Sequence, residues 1–184
     1  MGTPASLRTE RLLLRPWTTE DRDDFAALND DAEVMRFFPA RLSREESDAL
    51  VHRIESELAE QGWGLWAVEV VDEADFIGFI GLKFWDDLLA EPCIEVGWRL
   101  ARPHWGQGFA PEGAIECLNY GFGILDLEEI VSCTSVVNDK SRRVMEKIGM
   151  HRDPGDDFDH PRVEGPLRPH VLFRAQQSSW TPPI

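Results

Sequence analysis

Hydrophobic and polar positions recur with two different periods along this chain, and the changes of period divide it into elements. Residues 7–17 alternate and then run apolar, which predicts a strand. Thr18-Thr-Glu-Asp21 predicts a helix start, because a threonine cap and early carboxylates suit the positive end of the helix dipole. Ser43-Arg-Glu-Glu46 has the pattern of a capping box and predicts a second helix that extends to about Gln61.

The rest of the chain continues this mixture of strand-like and helix-like patterns. Residues 65–71, 76–84 and 93–100 are predicted as strands, and a glycine-rich turn then leads into a helix that ends near Phe122. The further predicted elements are a strand at 129–135, a helix at 138–148 that Asn138 caps and Gly149 ends, a last strand near 170–174 within a loop-rich segment, and a loose tail at 176–184.

The length and the net charge limit the kinds of protein to which this chain can belong. The 184 residues fit one domain with a core at about 7–175, and 42% of them are hydrophobic. The formal net charge of −15 argues against nucleic-acid binding; it either favours a cationic acceptor such as an amine or simply keeps the surface solvated. Because neither a membrane-spanning run nor a secretory signal is visible, we expect a cytoplasmic protein without a membrane partner.

Cysteine and histidine spacing gives little sign of metal chemistry. Cys93, Cys117 and Cys133 are widely spaced and odd in number, which indicates reduced core thiols rather than a redox pair. The histidines near the C-terminal end are irregularly spaced in a loop-like segment. We therefore expect no metal.

A glycine-rich turn at residues 102–113 carries the clearest chemical signal. It lies between a predicted strand and a helical pattern, and Gly106 and Gly108 let the backbone approach a ligand closely. The N–H groups that begin a helix are unpaired and lie at the positive end of its dipole. The turn therefore predicts an anion site, best suited to phosphate.

Two common phosphate-binding fingerprints do not fit this turn. The dinucleotide pattern G-x-G-x-x-G fails because Pro111 stands where the third glycine belongs. The chain also lacks the G-x-x-x-x-G-K-[ST] sequence of a P-loop. A nucleotide-binding protein that uses the same turn is thereby disfavoured as an alternative.

Two segments together resemble the GNAT N-acetyltransferases. Trp105-Gly-Gln-Gly108-Phe-Ala110 is similar to the acyl-CoA loop of that family, in the form usual in its RimJ/RimL-like branch. Asn138-Asp-Lys-Ser141, with Lys147-Ile-Gly149 downstream, resembles a later motif of the family. The resemblance implies an α/β (α+β) GNAT fold, with a mixed, mostly antiparallel central sheet, flanking helices and splayed strands at the acyl-CoA site.

The resemblance also implies an activity. It points to an acetyl-CoA-dependent N-acetyltransferase in which a primary amine, either a protein N-terminal α-amine or a small-molecule amine, attacks directly in a ternary complex. A non-catalytic CoA-binding sensor or scaffold of the same fold remains an alternative, because Met145 replaces the tyrosine acid of many members and cannot donate a proton. The oligomeric state stays open, a homodimer included.

Glu95 and Ser141 are the implied catalytic residues. Only a neutral amine attacks a thioester, so a carboxylate that accepts its proton is useful, and Glu95 matches the family strand that carries such a base. Asp86, Asp87 and Glu91 are alternative carboxylates. Ser141 matches a serine thought to face the sulfur in the RimL-like branch. The implied acetyl-CoA-binding residues are Trp98, Arg99, Leu100, Trp105, Gly106, Gln107, Gly108, Phe109, Ala110, Asn138 and Ser141.

Overall fold

The fold is a nine-stranded sheet with helices on both faces, seen in a computed structural model that describes residues 4–183. The strands are β1 Leu7–Arg8, β2 Leu12–Arg15, β3 Leu65–Val70, β4 Ala74–Trp85, β5 Cys93–Leu100, β6 Glu129–Ser135, β7 His151–Arg152, β8 Phe158–Asp159 and β9 Pro169–Gln176. The α-helices are α1 Asp21–Asp30, α2 Arg44–Gln61, α3 Phe109–Gly123 and α4 Asp139–Lys147.

The sheet is mixed and mostly antiparallel, as predicted. Its strand order is β1-β2-β3-β4-β5-β6-β9-β7, and β8 pairs with β9. All of these pairs are antiparallel except β5 and β6, which run parallel. The one parallel pair is joined by α3, as a crossover connection requires.

Different helices cover the two faces of the sheet. Successive strand residues point to opposite faces, so Phe79 and Ile80 of β4 face different helices. The ring of Phe25 from α1 lies 6.1 Å from that of Phe79. On the other face, a Cβ added to Gly113 of α3 would lie 2.5 Å from Cδ1 of Ile80, so the glycine allows α3 to pack closely. We call these the α1 face and the α3 face.

The start of the chain differs from its prediction in two ways. The single predicted strand at 7–17 is a hairpin, because Thr9 exchanges hydrogen bonds with Leu12 and turns the backbone. Helix α1 begins at Asp21, and Thr18 does not cap it with its side chain. Instead the Thr18 amide donates to the buried carboxylate of Asp21 at 2.8 Å, and Arg15 pairs with the same carboxylate.

Other local predictions are confirmed. Both hydrogen bonds of the Ser43–Glu46 capping box are formed, and Asn138 caps α4 by accepting from the Ser141 amide. In contrast, the segment predicted as a loose tail is anchored at Trp180, which packs against the core and whose indole N–H donates to the Ile148 carbonyl at 2.8 Å. In residues 4–183 no helix combines the length and apolar character needed to cross a bilayer.

Candidate active site

Strands β5 and β6 separate soon after they meet. Within residues 4–183 their ladder pairs only Glu95 with Val131, whereas β4 stays paired with β5 as far as Leu100. The Ala101 amide donates to the Ile77 carbonyl at 2.8 Å, and hydrogen-bonded pairs alternate along an antiparallel ladder. The N–H and C=O groups of Trp98 and Leu100 therefore point away from β4, into the gap that opens beside β6.

Side chains close the two ends of this gap. The Ser132 hydroxyl donates to the Val96 carbonyl at 2.8 Å, and the Trp105 indole donates to the Leu100 carbonyl at 2.7 Å. Between them the backbone of Trp98 is left to pair with an extended ligand, as an added strand would. The backbone of Arg99 faces β4 instead, and its side chain is held on the α1 face by Asn29.

The glycine turn begins α3 with unpaired amides. Gly106 and Gly108 have φ values of 76° and 86°, a left-handed conformation in which a side chain would be strained. Helix α3 begins at Phe109, and in the described part of the chain the amides of residues 106–110 have no protein acceptor. These N–H groups and the helix dipole together form a site that fits phosphate.

Glu112 in the first turn of α3 ties this turn to the β1–β2 hairpin. Its carboxylate accepts from the Thr9 hydroxyl at 2.5 Å and pairs with Arg11 at 2.6 Å. Arg11 also donates to the Gln107 carbonyl at 3.0 Å and lies over the Phe109 ring at 4.7 Å. Burial alone would raise the pKa of Glu112, but the donors from Thr9 and Arg11 outweigh burial and lower it.

Thr9 and Arg11 are not singled out by the sequence, because the bond between Thr9 and Glu112 joins positions 103 residues apart. The available signal was Glu112 itself, a carboxylate in the first turn of a helix beside a glycine-rich anion site.

Glu95 lies on the α1 face beside the gap. Its carboxylate accepts from the Trp85 indole at 2.8 Å, and the amide and thiol of Cys133 each lie 3.4 Å from its Oε1. Burial raises the pKa of Glu95 more than these donors lower it, so the carboxyl is a stronger base than an exposed one. Trp85 is a further residue of this site that the sequence did not single out.

Neighbouring groups are less suited to the role of base or nucleophile. Burial and the nearby carboxylate raise the pKa of the Cys133 thiol well above its ordinary value, so it is not a ready nucleophile. Asp87, an alternative carboxylate, is exposed and paired with Arg162.

Ser141 lies in the first turn of α4, on the other side of β6 from Glu95. The Asn138 side-chain amide donates to the hydroxyls of Thr134 and Ser141, at 2.9 Å and 3.1 Å. Both amide hydrogens are thus used within the protein, which leaves none for the pantetheine arm while these bonds persist. Because the Ser141 oxygen accepts from Asn138, its own O–H is directed elsewhere and remains available as a donor.

Glu95 and Ser141 are linked to opposite faces of strand β6. Cys133 contacts Glu95, and Thr134, the next residue of β6, contacts Asn138. Successive side chains of a strand point to opposite faces. A reacting centre in the gap would therefore have a proton acceptor on its α1 side and a hydroxyl donor on the other.

Comparisons with known proteins show the family and the fold. A family model described as an acetyltransferase (GNAT) domain matches residues 11–151. The uncharacterized protein YkkB of Bacillus subtilis is 33% identical over 156 residues, which cover 82% of this chain and 88% of that one. The uncharacterized N-acetyltransferase YnaD of the same organism is 30% identical over 148 residues, covering 80% and 83%. A GNAT-family acetyltransferase structure from Bacillus anthracis superposes with a TM-score of 0.80 at 24% identity, over 95% of this chain and 100% of that one.

Proposed function

This chain belongs to the GNAT family of acetyl-CoA-dependent N-acetyltransferases, in its RimJ/RimL-type branch, and from that premise we propose that it transfers an acetyl group directly to a primary amine. The acceptor is a protein N-terminal α-amine or a small-molecule amine, and both substrates are bound together when reaction occurs. The residues around the β5–β6 gap supply the parts that this reaction needs.

Binding of the cosubstrate relies on backbone groups. The free amides of residues 106–110 suit its pyrophosphate, and the gap-facing N–H and C=O of Trp98 suit the amides of its arm. Backbone recognition explains how a chain with a net charge of −15 binds an anionic cosubstrate, because the positive potential is local.

Glu95 acts as the general base in this proposal. An amine is mostly protonated near neutral pH, and only the neutral form attacks. The raised pKa of Glu95 brings the carboxyl closer to the operating pH, where proton acceptance is most effective. As the amine nitrogen bonds to the acetyl carbon, Glu95 takes the nitrogen's proton directly or through one water.

Ser141 donates the proton that the departing thiolate takes up as the carbon–sulfur bond breaks. Its hydroxyl oxygen accepts from Asn138, which leaves its hydrogen free to donate. Met145, at the position of the family tyrosine, is buried and cannot donate.

One observation carries the proposal: Glu95 lies on one face of the gap between β5 and β6, and the Ser141 hydroxyl, with its hydrogen free to donate, lies on the other. This arrangement suits direct transfer, in which the amine approaches from one side and the thiolate leaves on the other.

A turnover screen with acetyl-CoA tests the proposal. We expect CoA release and an acetylated product with members of a panel of small amines and N-terminal peptides, and no acetylated enzyme by mass spectrometry when the acceptor is omitted. A stable acetyl-enzyme would replace direct attack with a covalent route. Tight acetyl-CoA binding without turnover on any amine would favour the non-catalytic alternative.

A further inference from the structure

The Arg99 guanidinium is a largely buried cation that pairs with no carboxylate among residues 4–183. Most other arginines pair with carboxylates, as Arg15 does with Asp21 at 2.8 Å. Nη1 of Arg99 instead donates to the neutral Oδ1 of Asn29 at 2.5 Å. Burial lowers the pKa of Arg99 to about 10. Desolvating a guanidinium without a counter-charge costs free energy, so this arrangement suits an anion that comes from elsewhere.

The guanidinium keeps two nitrogens without an acceptor. Its Nε has less than 1 Å² of exposed surface and no hydrogen-bond partner among residues 4–183. Nη2 also has no acceptor there, and it is the unpaired nitrogen that a ligand can reach. The rings of Phe38 and Phe79 lie 4.1 Å and 5.4 Å from its Cζ. With two aromatic rings packed against the group, a ligand can approach it at Nη2, whose N–H groups suit a carboxylate oxygen.

Neutral hydrogen bonds hold the guanidinium of Arg99 in place. Asn29 is fully buried, and its side-chain amide donates to the Ser47 hydroxyl of α2 at 2.9 Å. That bond leaves Oδ1 of Asn29 to accept from Arg99. The guanidinium is therefore held in position before any ligand binds, which reduces the entropy lost on binding.

Arg99 and Glu95 mark the two ends of an open strip on β5. Residues 95, 97 and 99 share one face, because side chains alternate along a strand. The middle residue is Gly97, and a Cβ added there would meet nothing within 4 Å. The Cα atoms of Glu95 and Arg99 are about 13 Å apart at the usual strand rise. A ligand can lie across Gly97 with one end near each side chain.

We propose that Arg99 binds a carboxylate of the acceptor, so that the acceptor is an amine that also carries a carboxylate beyond a spacer of several bonds. This inference rests on the proposed function, because Glu95 locates the reacting amine. The singly charged guanidinium balances one carboxylate, and its unpaired Nη2 donates to a carboxylate oxygen. The strongly acidic surface attracts the amine end of the acceptor, whereas Arg99 supplies the local positive charge for its carboxylate end.

Binding of matched probe pairs tests the inference. The probes are straight-chain ω-amino acids of increasing length and their carboxamides, titrated calorimetrically into CoA-saturated protein. We expect at least one acid to bind about tenfold more tightly than its carboxamide, equivalent to about 1.4 kcal/mol. Arg99→Met should abolish this preference, and Arg99→Lys should retain only part of it. Arg8→Gln, which removes an exposed arginine of β1, should leave it unchanged.

The inference is overturned if acid and carboxamide bind alike, if neither binds, or if the preference survives Arg99→Met. Circular dichroism checks that the variants fold, and if Arg99→Met does not fold, Arg99→Lys decides by weakening the acid alone. Turnover with acetyl-CoA separates the two proposals. Amine acetylation without an acid preference would reject the role of Arg99, whereas acid binding without acetylation of any amine would reject the proposed function.

Discussion

Two carboxylates, Glu112 at the glycine turn and Glu95 beside the β5–β6 gap, are held in opposite ways. Glu112 receives donors from Thr9 and Arg11, and its pKa is lowered. Glu95 lies deeper, its donors are neutral groups, and its pKa is raised. The first carboxylate is stabilised as an ion and holds the turn in shape. Burial makes the second more basic than an exposed carboxyl, at a cost in folding stability.

The difference extends to how each region would recognise its ligand. The turn uses backbone amides and a helix dipole, so its side chains mainly support the loop. The acceptor side uses the side chains of Glu95 and Arg99, which contact the protein through neutral hydrogen bonds. Substitutions in the first region should therefore change cosubstrate affinity, and substitutions in the second should change turnover and acceptor choice.

The largest effect is expected from Glu95→Gln, which keeps the shape of the side chain but removes its basicity. If Glu95 is the base, kcat should fall by roughly 10²–10⁴-fold while the Kd for acetyl-CoA stays the same. The acidic limb of the kcat/KM profile should also disappear, because it reports protonation of this carboxyl. Asp87→Asn, at the exposed rival carboxylate, is the matched control. Near-normal turnover with an unchanged pH profile would move the role of base to another group.

Gly108→Asp tests the other region and should change affinity rather than chemistry. The new carboxylate would lie at the phosphate-binding turn, at a position whose φ of 86° strains any side chain. We expect acetyl-CoA to bind at least about tenfold more weakly, by calorimetric titration. Gly108→Ala keeps the strain without the charge, and Gly123→Asp places the same charge at the far end of α3, where an added Cβ meets nothing within 4 Å. Unchanged affinity in a folded Gly108→Asp protein would contradict the assignment of the turn.

Ser141→Ala should have a smaller effect, on kcat alone. A free thiol with a pKa near 8.5 leaves fairly well unaided, so losing one hydrogen bond to the developing charge should lower kcat by about tenfold. Ser141→Thr keeps the hydroxyl and should retain most of the rate. A CoA complex with the Ser141 hydroxyl more than about 5 Å from the sulfur would exclude direct donation, because that distance is beyond hydrogen bonding.

The comparison also explains what the sequence could and could not predict. The turn at 102–113, the capping box at Ser43 and the cap at Asn138 were all readable, because each is formed by neighbouring residues. The strand of Glu95 was readable from its alternation, but its partners Trp85 and Cys133 come from other strands. Pairing across the sheet is set by packing rather than by local pattern, so such partners leave no signal in a single sequence.

Arg99 shows the same limit more sharply. Its sequence position suggests a place beside the cosubstrate, yet its side chain meets Asn29, which is 70 residues away. The register of β4 and β5 decides whether the backbone of Arg99 faces β4 or the gap. The packing of α1 decides which side chains the guanidinium contacts. Neither can be derived from residue types alone.

The smallest predicted effects concern stability, and their opposite pH dependence is the sharpest test of the comparison. The Glu112 carboxylate has a lowered pKa, so the stability that it contributes is present at neutral pH and is lost as pH falls through that pKa. Glu112→Gln should therefore lower stability at neutral pH by roughly 1 kcal/mol, a modest figure because Arg11 is 45% exposed and its charge is screened. The corresponding loss in Tm is about 2–4 °C, and it should vanish in acid.

Glu95 has a raised pKa, so wild-type protein should lose stability relative to Glu95→Gln as pH rises through that pKa. Calorimetric scans from acidic to neutral pH measure both differences, with Glu116→Gln, one turn further along α3, as the control. If the Tm of the Glu112 and Glu95 variants changed with pH in parallel with the Tm of the wild type, the two carboxylates would not differ in the way described.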